Sequence, residues 1–157
     1  MGGPGIDDCF ALLRRLELPA LDTLEMLRRV VFNFLVGNWD AHGKNFSVLY
    51  RNGRCGLAPL YDVMSTTIYL EVSCRMAMKI DGEYAFKWIS RGKFLRMGGK
   101  LGFGEHLVAQ TLDRFSKHIQ RECARLRKDC ERRHPCRIYQ EIEAGIVQRV
   151  AQIREKE

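Results

Sequence analysis

An apolar helical stripe that runs directly into a polar loop constrains this sequence more than any other feature. The apolar positions recur every three or four residues, which is typical of a helix that buries one broad face: Leu24, Leu27, Val30, Val31, Phe34 and Leu35. We expect this helix to begin at Asp22, with Glu25 as its capping-box partner, and to end at Gly37–Asn38. Such a buried helix provides a rigid base for the polar side chains of the following loop, residues 37–45.

A short β-hairpin is predicted immediately after this loop. Residues Phe46 to Tyr50 form the first predicted strand, and Cys55 to Ala58 form the return strand. Between them, Asn52–Gly53 is the strongest short-range signal for a two-residue hairpin turn. Pro59 has no backbone N–H to donate, so it ends the predicted ladder.

Most of the remaining sequence is predicted to be helical. Four further helices are expected, from Asp7 or Asp8 to about Leu16, from Ser90 to Leu95, from about Glu105 to Arg132, and from about Ile138 to Arg154. Leu18–Pro19–Ala20 breaks the first of these, and Gly98–Gly99 ends the second. The long third helix should point six side chains inward: Leu107, Leu112, Phe115, Ile119, Cys123 and Leu126. Glu71–Met78 is predicted as a helix or an irregular segment, and Asp81–Gly82 as a turn.

Length and composition indicate one ordinary globular domain spanning residues 1–157. The chain is 46% hydrophobic and 29% charged, and no apolar run approaches the ~20 residues needed to span a bilayer. Met1–Gly5 lacks the basic segment and apolar core of a signal peptide. We therefore expect a mainly α fold with a small β-hairpin, located in the cytoplasm and without a membrane partner.

The positive charge is concentrated in one stretch. The net charge is +7, and residues 114–137 contain nine Lys or Arg against three Asp or Glu. Such a basic face can meet nucleic acid or an acidic protein, or it can simply be solvated. Because no groove-reading motif accompanies it, the solvated helix face is the favoured interpretation.

The six cysteines form no regular framework and are expected to be free thiols in a reducing compartment. A zinc site can be drawn from Cys123, Cys130, His134 and Cys136, but these lack a paired Cys-x-x-Cys. On a helix, Cys123 and Cys130 would lie on the order of 10 Å apart, too far to share one ion easily. The prediction is therefore that these residues do not bind zinc.

Three polar residues stand in an order with chemical meaning: Asp40, then Asn45 after four intervening residues, then Asp62. Asp and Asn alone favour caps and turns, but two motifs in the correct order are more specific. Phe32–Ser47 followed by Leu57–Thr66 resembles the C-terminal domain of HipA-type serine/threonine kinases, the toxin halves of bacterial toxin–antitoxin pairs. The resemblance runs from about residue 7 to 153 and implies the helical C-terminal lobe of a protein-kinase-like fold.

The resemblance also implies a role for each site residue. Asp40 would be the catalytic base that orients the substrate hydroxyl and takes its proton. Asn45 and Asp62 would be the Mg²⁺ ligands, with the metal bridging the phosphates of ATP. The residues implied to lie near ATP are His42, Lys44, Asn45, Tyr61 and Asp62. We expect the side chains of Asp40, Asn45 and Asp62 to converge.

Two parts of a working kinase are not recognisable in this sequence. A phosphate-covering loop and a lysine on the strand beneath it belong to the N-terminal lobe. Residues 98–102 are glycine-rich, but they follow Asp40 and lack the Walker pattern. In addition, Asp62–Val63–Met64 stands where kinases have Asp-Phe-Gly, without the glycine.

Two hypotheses about function follow. The first is a HipA-like serine/threonine kinase portion that transfers the ATP γ-phosphate to a protein substrate and needs an N-terminal kinase fragment for activity. The alternative is a non-catalytic kinase remnant that binds an antitoxin-like DNA-binding protein, and so meets nucleic acid only indirectly, or binds DNA itself. The three site residues favour the first hypothesis, and the missing upstream half favours the second.

Overall fold

The computed structural model describes residues 3–69 and 75–154, which form five helices and two separate β-hairpins. In chain order the elements are α1 (Ile6–Leu13), α2 (Pro19–Val36), β1 (Val48–Arg51), β2 (Arg54–Leu57), β3 (Arg75–Ile80), β4 (Glu83–Ala85), α3 (Arg91–Lys100), α4 (Glu105–Arg133) and α5 (Ile138–Arg154). Single helical turns lie at Gly43–Asn45, Thr66–Ile68 and Phe86–Trp88. The predicted fold class, mainly α with a small hairpin, is confirmed.

The core is organised around α2. The helices α1, α4 and α5 all pack against it, and buried side chains from every helix form one apolar cluster. Within this cluster the ring of Phe34 lies 5.3 Å from that of Phe86 and 5.3 Å from that of Phe94. Burying a side chain of this size contributes about 1.5–3 kcal/mol to stability. These aromatic contacts fix α2 against α3 and against the turn that follows β4.

α2 begins at Pro19, earlier than the sequence predicts. A proline fits the first turn because the N–H groups there have no intrahelical partner to lose. The predicted cap at Asp22 with Glu25 is therefore wrong. Asp22 Oδ1 instead accepts the Leu57 N–H at 3.0 Å and so ties β2 to the start of α2. Glu25 Oε1 accepts from Arg29 Nε at 3.2 Å.

α1 is capped at Gly5, so the predicted caps Asp7 and Asp8 are wrong. Asp8 nevertheless contributes, because its Oδ2 accepts the Gly5 N–H at 2.8 Å and satisfies a donor at the helix start. The helix ends at Leu13, and Leu16 packs only partly against the core beyond it.

The first hairpin forms around the predicted Asn-Gly turn. β1 pairs with β2 antiparallel, and Arg51 stands opposite Arg54. Asn52 and Gly53 have φ of 52° and 74°, the positive values at both central positions that a type I′ turn requires. At the end away from the turn, both strands stop short of the prediction, since β1 begins at Val48 rather than Phe46 and β2 ends at Leu57 rather than Ala58.

A second hairpin occupies a region where the sequence predicted only its turn. β3 pairs with β4 across Asp81–Gly82, whose φ values are 48° and 80°. The prediction of a helix or irregular segment at Glu71–Met78 is wrong from residue 75 onward, and residues 70–74 lie outside the described part. Alternate side chains of β3 are buried, namely Met76, Met78 and Ile80. This strand therefore closes the core beneath the 37–45 loop.

α3 continues through the two glycines that were expected to end it. The predicted cap is present, with Ser90 Oγ accepting the Lys93 N–H at 3.4 Å. At Gly98, however, a Cβ would lie 2.4 Å from Cγ2 of Val108. Glycine is needed there because α3 and α4 approach each other closely, and the helix runs on to Lys100.

α4 and α5 form a long antiparallel pair with nearly the predicted bounds. The buried residues of α4 lie in its first half, at Val108, Thr111, Leu112 and Ser116. The prediction that Leu126 points inward is wrong, since it is 50% exposed where α4 extends past the core. Although α4 has 29 residues, neither it nor another helix within residues 3–69 and 75–154 is long and apolar enough to cross a membrane.

Candidate functional site

The 37–45 loop starts from the end of α2. Gly37 is the C-cap of that helix, with φ of 77°, a left-handed conformation that glycine adopts without steric cost. Its N–H donates to Phe34 O at 3.1 Å, and the next N–H, of Asn38, donates to Asn33 O at 2.9 Å. The buried apolar face of α2 thus fixes where the loop leaves the core.

The structure brings Asn45 and Asp62 into direct contact. The side-chain amide of Asn45 donates to Oδ2 of Asp62. Asp62 is exposed and has φ of 55°, a conformation in which a non-glycine residue is strained. Strain of this kind is common at functional sites, where the surrounding structure holds a side chain in place.

Asn45 is held rigidly by its own loop. It is only 6% exposed, its N–H donates to His42 O at 2.9 Å, and its Oδ1 accepts the His42 N–H at 2.9 Å. The imidazole Nδ1 of His42 is buried without a hydrogen-bond partner among the described residues. The amide of Asn45 is therefore oriented toward Asp62 by backbone contacts that the sequence did not reveal.

Asn38 links the loop to the backbone at Asp62. Its Nδ2 donates to Asn33 Oδ1 at 2.9 Å and to Asp62 O at 3.2 Å. Asn38 is 6% exposed and Asn33 is 5% exposed, so both side chains are buried. Sequence reasoning gave Asn33 no role and used Asn38 only to mark the end of α2. The available signal was Asn33, a polar residue inside the apolar stripe of α2.

Tyr61 is anchored to the same loop. Its hydroxyl donates to Lys44 O at 2.7 Å and lies 2.6 Å from Ser47 Oγ. The tyrosine is 41% exposed, and Lys44 is exposed as well. These two contacts fix the hydroxyl against the loop, while the ring remains accessible to a ligand.

Asp40 is exposed, and within the described ranges its carboxylate has no hydrogen-bond or ion-pair partner. The structure does not join it to Asn45 or Asp62. Its neighbour Trp39 is fixed on both sides, because the Trp39 N–H donates to Thr66 Oγ1 at 2.9 Å and Trp39 O accepts the Ala77 N–H at 2.7 Å. The backbone at Asp40 is thus well anchored, and its carboxylate faces solvent.

The oxygen atoms of Asn45 and Asp62, which lie beside their mutual hydrogen bond, are suited to a hard cation. Carboxylate and amide oxygens are the ligands that Mg²⁺ prefers, completed by phosphates and water. Asp62 offers an exposed carboxylate, and the Asn45 carbonyl oxygen has a second lone pair beyond the one that His42 uses. Among the described residues no group of three His, Cys, Asp or Glu lies close enough to hold a metal.

Several known proteins are similar to this chain in sequence. The sequence model of the HipA-like C-terminal domain matches residues 2–124. The chain is 39% identical over 129 residues to the putative kinase Y4mE of Sinorhizobium fredii. It is 30% identical over 122 residues to the serine/threonine-protein kinase toxin HipA of Shewanella oneidensis. The alignments cover 82% and 78% of this chain but 31% and 28% of those proteins, so the chain spans about a third of their length.

A solved complex of HipA, HipB and operator DNA from Shewanella oneidensis MR-1 contains a chain with the same fold. That chain matches this structure with a TM-score of 0.86 at 24% identity. The match covers 97% of this chain and 36% of that chain, so α4 and α5 belong to the shared architecture. The family match covers well over half of the sequence, and the chain therefore belongs to the HipA-like C-terminal domain family.

Proposed function

We propose that this chain is the C-terminal catalytic portion of a serine/threonine protein kinase, which transfers the γ-phosphate of ATP to a protein hydroxyl and is inactive alone. Asp40 is the proposed catalytic base. Asn45 and Asp62 are the proposed Mg²⁺ ligands, and the proposed ATP contacts are His42, Lys44, Asn45, Tyr61 and Asp62. The reaction class is supported by the names of two relatives, the putative kinase Y4mE and the serine/threonine-protein kinase toxin HipA.

The contact between Asn45 and Asp62 is the observation on which this proposal chiefly rests. Seventeen positions apart in the sequence, the two side chains meet through the Asn45 amide N–H. The proposed oxygen ligands are the Asp62 carboxylate and the remaining lone pair of Asn45 Oδ1, the atom types that a kinase uses for its metal. When bound, Mg²⁺ neutralises part of the charge on the nucleotide phosphates. The rigid support of Asn45 and the strained backbone of Asp62 hold both ligands ready, which favours catalysis by preorganisation.

Asp40 is suited to the role of base by its exposure. A substrate hydroxyl can approach its carboxylate, donate a hydrogen bond to it and give up its proton as the new O–P bond forms, while the bond between the γ-phosphorus and the bridging oxygen breaks and ADP leaves. The anchored backbone of Trp39 limits how far the carboxylate can drift. Lys44 is exposed, so its ammonium group can reach a phosphate, and the fixed ring of Tyr61 can pack against the nucleotide.

The test compares the isolated chain with the same chain fused behind the N-terminal portion of the Y4mE protein. Calorimetry of the isolated chain should give a Kd for Mg-ATP weaker than about 10 µM, since no phosphate-covering loop is recognisable within these 157 residues. The fusion should bind ATP and incorporate phosphate into a protein substrate only when Mg²⁺ is present. A fusion that folds and binds ATP but transfers no phosphate would contradict the proposal.

A binding module is the second candidate function, supported by the solved complex in which a chain of this fold occurs with HipB and operator DNA. The proposed partner is an antitoxin-like DNA-binding protein, with nucleic acid met only through it. Direct DNA binding is less favoured, because carboxylates on α4 and α5 already pair with Arg121, Arg125, Arg127 and Arg132. Fluorescence anisotropy with operator DNA, measured with and without the antitoxin, separates the two cases.

A further inference from the structure

Arg149, on α5, is a buried cation without a carboxylate partner among the described residues. It is only 3% exposed. Burial lowers the pKa of its guanidinium to about 10. A buried charge that is not paired costs free energy unless hydrogen bonds compensate it. The question is therefore what Arg149 contacts, and what those contacts hold together.

The guanidinium connects three separate parts of the chain. Nε donates to Leu35 O at 2.8 Å, and Nη1 donates to Thr67 Oγ1 at 3.2 Å. Leu35 lies in the last turn of α2, where the carbonyl groups have no helical partner and present the negative end of the helix dipole. Thr67 lies five residues after Asp62. Arg149 thus bridges the start of the 37–45 loop and the segment that follows Asp62.

Two glycines make room for this side chain. A Cβ on Gly37 would lie 2.7 Å from Cζ of Arg149 and 2.6 Å from Thr67 Oγ1. A Cβ on Gly145 would lie 3.1 Å from Nη1 of Arg149. The guanidinium is therefore packed directly against the residue at which α2 turns into the loop.

The threonine pair beside Arg149 holds both segments together. Thr66 Oγ1 donates to Gly37 O at 3.1 Å and accepts the Trp39 N–H at 2.9 Å. The Thr67 N–H donates to Gly37 O at 3.3 Å. Asp40 directly follows Trp39. A shift of Thr67 would therefore move the backbone that precedes Asp40 relative to the segment that bears Asp62.

We propose that Arg149 is a positioning residue that locks the 37–45 loop against the segment after Asp62. This inference rests on the proposed kinase function for its effect on activity, but not for its effect on structure. Arg149 touches neither substrate nor nucleotide in this role. The guanidinium suits this role because two of its donor atoms, Nε and Nη1, bind partners on different segments.

Hydrogen exchange on the isolated chain tests the structural part. In Arg149→Met, the Trp39 amide should exchange at least about tenfold faster than in the wild type, with Leu112 in the core of α4 as the reference for global opening. Arg149→Lys should retain part of the wild-type protection of the Trp39 amide. Thr67→Val, which removes the hydroxyl that Arg149 binds, should also lose this protection, and it provides the test if Arg149→Met does not fold. Arg91→Met, which breaks the Arg91–Asp113 contact, is the matched control. Equal acceleration at Trp39 and Leu112, or an unchanged Trp39 amide, would overturn the proposal.

Kinetics on the fusion described above tests the catalytic part. Arg149→Met should lower kcat by about 10- to 100-fold, since a small misplacement of reacting groups costs this much. The KM for ATP should stay within about threefold, because no ATP contact is removed. A rise in KM with unchanged kcat, or an equal decrease of kcat in Arg91→Met, would contradict the positioning role of Arg149. If the wild-type fusion is inactive, the proposed kinase function fails, while hydrogen exchange still decides the role of Arg149.

Discussion

The side chain of Asn38 donates to the backbone carbonyl of Asp62 at 3.2 Å, and this bond joins the two halves of the candidate site. The same Nδ2 donates to Asn33 Oδ1 within α2 at 2.9 Å. One buried amide therefore connects the core helix, the 37–45 loop and the strained residue Asp62. The geometry of the site depends on α2 through this residue as much as on the loop itself.

Asn38→Ala should be clearly destabilising. The change leaves the oxygen atoms of Asn33 and Asp62 without this donor in a mostly buried setting, which costs about 1–3 kcal/mol in the free energy of unfolding. Urea denaturation measures the difference. Gln110→Ala, at an exposed position on α4, serves as the control and should change stability by less than about 0.5 kcal/mol. Equal stability of the two variants would contradict the role of Asn38.

Gly37 and Gly53 provide a matched pair for separating backbone strain from crowding. Both have positive φ, at 77° and 74°, but only Gly37 has atoms close to where a Cβ would lie. Gly53→Ala should cost about 1 kcal/mol from strain alone. Gly37→Ala should cost at least about 1–3 kcal/mol more, because Thr67 and Arg149 must move. Equal melting temperatures for the two variants would show that the packing against Arg149 is loose.

The ion pairs of Asp81 predict a dependence of stability on pH. Asp81 accepts from Arg96 Nε at 2.8 Å and from Lys100 Nζ at 2.6 Å. Burial raises the pKa of Asp81, but the hydrogen bonds and charges of Lys100 and Arg96 outweigh burial and hold this pKa below its ordinary value. The stabilisation is therefore complete above the unfolded pKa of about 3.9 and is lost as pH falls through the lower folded value.

Asp81→Asn should accordingly be about 0.5–1 kcal/mol less stable than the wild type at neutral pH, a modest effect because both cationic partners are largely exposed. Asparagine tolerates positive φ, so the turn itself should survive. Urea denaturation between about pH 7 and pH 2.5 should show the difference shrinking once the carboxylate is protonated. A difference that stays constant over this range would point to turn geometry rather than charge.

Local signals in the sequence were enough to predict most of the fold. The periodicity of α2, α4 and α5 and the Asn-Gly turn of the first hairpin involve only neighbouring residues. The second hairpin was missed because β3 contains two methionines, Met76 and Met78, and few of the β-branched and aromatic residues that favour strands. The start of α2 was misplaced because Asp22 looks like a cap, whereas in the fold it binds the backbone of Leu57.

The sequence was enough to predict which residues form the candidate site, but not which other residues hold them in place. The order of Asp40, Asn45 and Asp62 is visible in the chain, and the structure joins the last two. Their roles in catalysis and metal binding remain predictions. Asn38 and Arg149 contribute through contacts with residues far away in sequence, such as the 114 positions between Leu35 and Arg149. No local pattern indicates such a contact, because it exists only once the helices have packed.

Phosphate transfer by Asp40→Ala tests the central claim most directly. In the fusion with an N-terminal kinase portion, this variant should lose about 10²- to 10⁴-fold in phosphate incorporation, the usual value of a positioned base. Circular dichroism and the melting temperature should match those of the unchanged fusion, since the Asp40 carboxylate is exposed and has no partner among the described residues. Asp7→Ala, an exposed acid on α1, should retain activity. Undiminished phosphate transfer by Asp40→Ala would contradict the account, and a collapsed melting curve would make Asp40 a structural loop residue instead.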